Sequence, residues 1–116
     1  MFPTVQAPNQ ARREVASLAD RIDRESLADV TTVVSELVGL SVAYGASKPI
    51  EILLTLRGDE LEGTLRDDGP GPRAIARAQK RRDDSLVLRI VDGLVEAWGT
   101  DPSETRIWFR MAVRPT

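Results

Sequence analysis

Ile50-Glu51-Ile52-Leu53-Leu54-Thr55-Leu56-Arg57-Gly58-Asp59-Glu60-Leu61-Glu62-Gly63-Thr64-Leu65-Arg66 decides the fold. Ile50, Ile52, Leu54 and Leu56 alternate with Glu51, Leu53, Thr55 and Arg57, Gly58-Asp59-Glu60 supplies a turn, and Leu61, Gly63 and Leu65 resume the alternation. A period of two on both sides of a turn predicts a hairpin of two half-buried strands. Working outward, Val15, Leu18 and Ile22 recur at helical spacing and predict an amphipathic helix from about Gln10 to Asp23, opened near Pro8-Asn9. Ser26 with Asp29 approximates a capping box for a second helix reaching about Tyr44 and stopping at Gly45. From Val30 to Tyr44 its only charged residue is Glu36, so it should be largely buried.

Downstream of the hairpin, Asp68-Gly-Pro-Gly-Pro72 breaks the pattern, and the basic stretch from Arg73 to Arg82 reads as a short helix or a mobile loop. Arg73, Arg77, Lys80 and Arg81 fall near helical spacing there, as either a solvated face or a dock for an acidic partner. Asp84 or Ser85 would cap a last helix carrying Leu86, Ile90, Val91, Leu94 and Trp98 and ended by Gly99. Thr105, Ile107, Phe109, Met111 and Val113 then alternate as a final strand. The expected order is α-α-β-β-α-β, and a short extra strand at Phe2 to Val5 is compatible with it. A hairpin excludes a sheet made only of βαβ units, so the expectation is an α+β, two-layer sandwich: a mixed, mostly antiparallel sheet with helices on one face.

Composition narrows the chemistry. The 116 residues fit one domain, and 41% hydrophobic residues suffice for a core. Without Cys or His there is no ordinary zinc site, disulfide, thiol nucleophile or Ser-His-Asp triad. Carboxylates, hydroxyls, Arg and backbone amides remain. A net charge of −2 carries no footprint for nucleic acid or an anionic membrane. Met1-Phe2-Pro3-Thr4 lacks the build of a signal peptide, and no stretch offers 18 uninterrupted apolar residues, so the expected compartment is the cytoplasm.

Three places break the local pattern. Glu36 puts a carboxylate on an apolar helix, either for a functional site or at the helix rim, where it reaches water or an Arg. Leu40 lies one turn further on the same face. Asp67 falls in phase with Leu61, Gly63 and Leu65, aiming a carboxylate inward where N–H donors should meet it, and Gly69 and Gly71 then let backbone approach a ligand closely. The same residues also suit a plain Pro-Gly turn. Asp83-Asp84-Ser85 places two carboxylates at a helix start, where they cap the helix and would repel a triphosphate.

In this order and spacing, Ser35-Glu-Leu-Val-Gly-Leu-Ser-Val-Ala-Tyr-Gly45, Leu65-Arg-Asp-Asp-Gly-Pro-Gly71 and Leu88 through Ala97-Trp98-Gly99 to Ile107-Trp-Phe109 resemble the Bergerat ATP-binding fold of the GHKL superfamily. That superfamily includes gyrase, histidine kinases and MutL; the likeness is greatest to its small bacterial anti-sigma-factor serine kinases and covers nearly the whole chain as a single domain, residues 1–116. The resemblance implies that Glu36 stands where a catalytic Glu activates the attacking hydroxyl, and that Asp67, Gly69 and Gly71 form the adenine side of a nucleotide site. It also implies losses: Leu40 stands where an Asn would ligate Mg²⁺, and Ser85 and Val87 stand where phosphate-turn glycines would be, with Leu88 retained. Phosphoryl transfer depends on metal neutralisation and positioning, so those losses should remove several kcal/mol of transition-state stabilisation. The expectation is a catalytically silent regulatory module without a bound cofactor or metal. Its partner by resemblance is a sigma factor or a STAS-type antagonist, and a homodimer is compatible with the family. The alternative is an active serine kinase using ATP with Mg²⁺, with Glu36 as base.

Overall fold

The hairpin sits at one side of the sheet rather than in its middle. A computed structural model of the chain describes residues 1–4, 6–44, 49–67, 86–101 and 105–116. Its elements are α1 (Ala7–Val15), a 3₁₀ turn (Ala16–Leu18), α2 (Arg24–Ala43), β1 (Glu51–Arg57), β2 (Glu60–Arg66), α3 (Leu86–Leu94), β3 (Ala97–Asp101) and β4 (Arg106–Ala112). The strands form one sheet in the order β1-β2-β4-β3 with every neighbour antiparallel. The fold is α+β, as expected, with four strands where the pattern gave three.

The β1–β2 turn follows from its residues. Gly58 has φ +62° while Asp59 stays out of the positive region, which fits a two-residue turn with Gly at its first central position. Along β2, Leu61, Gly63 and Leu65 are buried while Glu60, Glu62 and Thr64 are not; along β4, Ile107, Phe109 and Met111 are buried. The side chains of Leu61, Leu65, Ile107, Phe109 and Met111 share one core with Val30, Val33, Val34, Leu37 and Val38 of α2 and Leu88 and Val91 of α3. Each such burial stabilises by about 1.5–3 kcal/mol. Gly63 is required in this layer, because a Cβ there would collide with the Phe109 ring.

Helix boundaries differ from the expectation for local reasons. α1 begins at Ala7, with Pro8 in its first turn, and buries Ala7, Ala11 and Val15 against α2; it tightens into the 3₁₀ turn before Ile22 pairs with Pro115. The cap of α2 is Asp23, whose carboxylate accepts the Ser26 N–H at 2.8 Å. Ser26, expected as the cap, instead accepts the Arg114 N–H through its Oγ at 2.8 Å. α2 has the length and mean hydropathy (1.4 over its most apolar window) to cross a bilayer, but here it buries Val30, Val33, Val34, Leu37 and Val38 in the core.

The last helix ends at Leu94, and Trp98-Gly99 belongs to β3, paired with Phe109 and Trp108. Residues 2–4 form no strand; Met1 alone pairs with Ile50, its amino group donating to the Ile50 carbonyl at 2.8 Å and its carbonyl accepting the Ile50 N–H at 2.6 Å. The basic stretch 73–82 and the acidic pair at 83 and 84 lie outside the described residues.

Candidate functional site

Asp67 occupies the first position beyond β2, and the inward phase of that strand carries through to it. It is fully buried, 0% exposed, following Leu61 and Leu65 on the same face. Its backbone N–H donates to the Thr105 carbonyl at 2.9 Å, extending the β2–β4 ladder by one step beyond the Arg66–Arg106 pair. A carboxylate in such a place is costly to hold without polar neighbours, which makes this corner chemically distinct from the rest of the core. Thr105 adds to the distinction, since it is the one non-glycine residue with positive φ (53°) among the described residues. A β-branched residue seldom adopts that conformation, and such outliers gather at functional corners.

Glu36 lies halfway along α2, on the flank of the stripe formed by Val30, Val33, Leu37 and Ser41. It is partly exposed and makes no hydrogen bond or ion pair among the described residues, so water reaches the carboxylate. This is the rim position, one of the two readings open from sequence. No hydrogen bond or ion pair joins Glu36 to Asp67. Gly69, Gly71 and Ser85 lie outside the described residues, as does the side chain of Val87; Leu88 is buried in the core.

Leu40, one turn beyond Glu36, packs against the hydrophobic core. Its neighbour Ser41 is fully buried with no hydrogen-bond partner for its hydroxyl among the described residues. The two differ by about 100° around the helix, so Ser41 cannot replace the side chain at position 40 on the Glu36 flank. Position 40 therefore offers no oxygen ligand beside Glu36. Among the described residues no three acidic side chains gather as a metal site.

Two features of this region escaped the sequence reading. The strain at Thr105 carries no residue signal, because a Thr before a strand is unremarkable. The partnerless Ser41 hydroxyl looks in sequence like any small residue in a buried helix. No protein-family model matches the chain, and no curated protein matches it either.

Proposed function

We propose that the chain is a regulatory binding module: an anti-sigma-factor-like protein with a degenerate nucleotide site, acting in the cytoplasm by docking a protein partner in bacterial transcription or stress signalling. By the resemblance set out above, the partner is a sigma factor or a STAS-type antagonist. One observation supports the reading: Leu40, at the position where the enzymes it resembles carry a metal-ligating Asn, is an apolar side chain packed, partly buried, against the core. Exchanging a metal ligand for an apolar side chain removes charge neutralisation from phosphoryl transfer and leaves the scaffold intact. Asp67 keeps the buried strand-end position of an adenine acceptor, so weak purine recognition without phosphate contacts is compatible with the same reading.

Isothermal calorimetry with ATP and Mg²⁺ tests it. The expected result is no binding in the micromolar range and no dependence on Mg²⁺; tight, metal-dependent binding overturns the proposal. Glu36 supports the second reading, an active serine kinase, because a water-accessible carboxylate without a partner is suited to act as a base. Transfer of labelled phosphate to a STAS-type protein, abolished by Glu36→Ala, would establish that reading instead.

A further inference from the structure

β1 ends the sheet on one side, and its outer edge keeps a row of backbone groups beside a hollow that carries a carboxylate. Met1 exchanges both backbone hydrogen bonds with Ile50 on that edge, so the edge accepts extended backbone running antiparallel to β1. These groups alternate sides residue by residue. The N–H and C=O of Ile52, Leu54 and Leu56 therefore also face outward, while Glu51, Leu53, Thr55 and Arg57 bond inward to β2. Nothing among the described residues pairs with that outer row. An edge strand is ordinarily blunted by charge, Pro or a bulge, yet the five residues between Glu51 and Arg57 are Ile, Leu, Leu, Thr and Leu. Leu53, on the face turned from the core, is 65% exposed. On the other face Ile52 and Leu54 join Glu14 of α1 and Ser17 of the 3₁₀ turn around a hollow of about 310 Å³. The Glu14 carboxylate is exposed and makes no hydrogen bond or ion pair among the described residues.

We propose that this edge binds an extended segment of a foreign protein as an added antiparallel strand, with a basic residue opposite Leu54 whose charge meets Glu14. The backbone row supplies the pairing, and the side chains beside it set which segment fits. Its length follows from the ends of the edge: Met1 occupies Ile50, and the Gly58-Asp59 turn closes the other side, which leaves the seven residues Glu51–Arg57. Its outer charges follow from exposed Arg57, which calls for an acidic residue at the start of the segment, and exposed Glu51, which calls for a basic one at its end. An apolar residue covers Leu53. Opposite Leu54 a Lys or Arg lays its methylene stem along Ile52 and Leu54 and keeps its head at the Glu14 carboxylate. A second copy of β1 does not supply this pattern, because pairing it antiparallel about Leu54 brings another Leu54 to the hollow and no cation. The inference goes beyond the reading above, since its test reports on this edge whether or not ATP binds.

The capped peptide acetyl-Glu-Val-Thr-Lys-Val-Val-Arg-amide carries the pattern, and titrating it into the full chain while following amide resonances by NMR tests the pairing. Saturable shifts along β1 are expected, with slowed exchange at the N–H groups of Ile52, Leu54 and Leu56. N-methylation of the peptide Lys, whose N–H points at Leu54, should weaken binding at least about tenfold, whereas N-methylation of the next Val, whose N–H points away from β1, should change it less than about twofold. Glu14→Lys, at an exposed helix position, should weaken binding about fivefold, and replacing the peptide Lys by Glu should restore it on that variant. A peptide that gives no saturable shift overturns the proposal. Binding indifferent to which residue is N-methylated, or to Glu14→Lys, overturns it as well, because side chains or backbone alone would then hold the peptide. Protection of the three amides that rises with protein concentration without peptide gives the edge to a second copy and overturns it too.

Discussion

Gly63 and Asp23 show how single residues set the tolerances of this fold. Phe109, 1% exposed, occupies the space that any side chain at position 63 would need, and a ring buried this fully cannot swing aside cheaply. Gly63→Ala should therefore destabilise the protein by about 2 kcal/mol through overpacking, read as a lower urea midpoint at unchanged slope. Asp23 works through charge. The Ser26 backbone N–H, then the Ser26 hydroxyl, and the Arg114 guanidinium 3.3 Å away hold its carboxyl below the ordinary value of 3.8. A depressed folded-state pKa means that this group favours the folded state above pH 3.8, and that its contribution fades as the pH falls through that value and on through the lower folded one. Asp23→Asn, which keeps a capping oxygen and loses the charge, should be less stable than the parent at neutral pH. The gap should close on acidification, as followed by urea unfolding across the pH range.

Elements differ in how far their own residues specify them. The β1–β2 hairpin was legible because alternation, turn glycine and strand length agree, and the phase of Leu61, Gly63 and Leu65 carried the inward aim of Asp67 with it. β3 was hidden, since Trp98 falls four residues after Leu94 and continues the helical stripe, and Gly99 looks like a helix terminator. What makes Ala97–Asp101 a strand is its pairing with β4, Trp98 beside Phe109, a contact between distant segments that no local propensity encodes. The start of α1 was missed for a related reason: Ala7 and Ala11 bury completely, yet Ala is too small to stand out in a hydrophobic pattern. For the candidate site, the burial of Asp67 could be read from strand phase, whereas the half-buried rim position of Glu36 depends on how α2 is rotated against its neighbours. The hairpin supplies the test at this scale. Gly58 adopts φ +62° with open space around its missing Cβ, so Gly58→Ala introduces backbone strain and no clash. It should cost about 1 kcal/mol in thermal or urea unfolding.

At the scale of the whole molecule, the last residues close the structure. Beyond β4 the chain returns to the junction between α1 and α2, where Arg114 N–H donates to Ser26 Oγ at 2.8 Å and Arg114 C=O accepts the Asp23 N–H at 2.7 Å. Thr116 adds its N–H to the Arg21 carbonyl at 3.1 Å and its hydroxyl to the Asp20 carbonyl at 3.0 Å, and the Arg114 guanidinium meets Glu25 at 2.7 Å. The guanidinium pair is exposed and contributes little in water. The backbone bonds matter more, because they tie a helix N-terminus to the end of the central strand β4 and leave the Ser26 oxygen, in a residue 6% exposed, without a donor once the tail is gone. Net contributions of about 0.5–1.5 kcal/mol per hydrogen bond, reduced where water can replace the tail, give about 3 kcal/mol for deleting residues 114–116. For a domain of this length that corresponds to a fall in Tm of roughly 10 °C. Calorimetric unfolding of the truncated chain measures it. Ser26→Ala alone, which removes one acceptor and keeps the tail, should reproduce about a third of the loss. If the truncated chain melted with the parent, the closing contacts would contribute nothing, and stability would rest on the helix and sheet core alone.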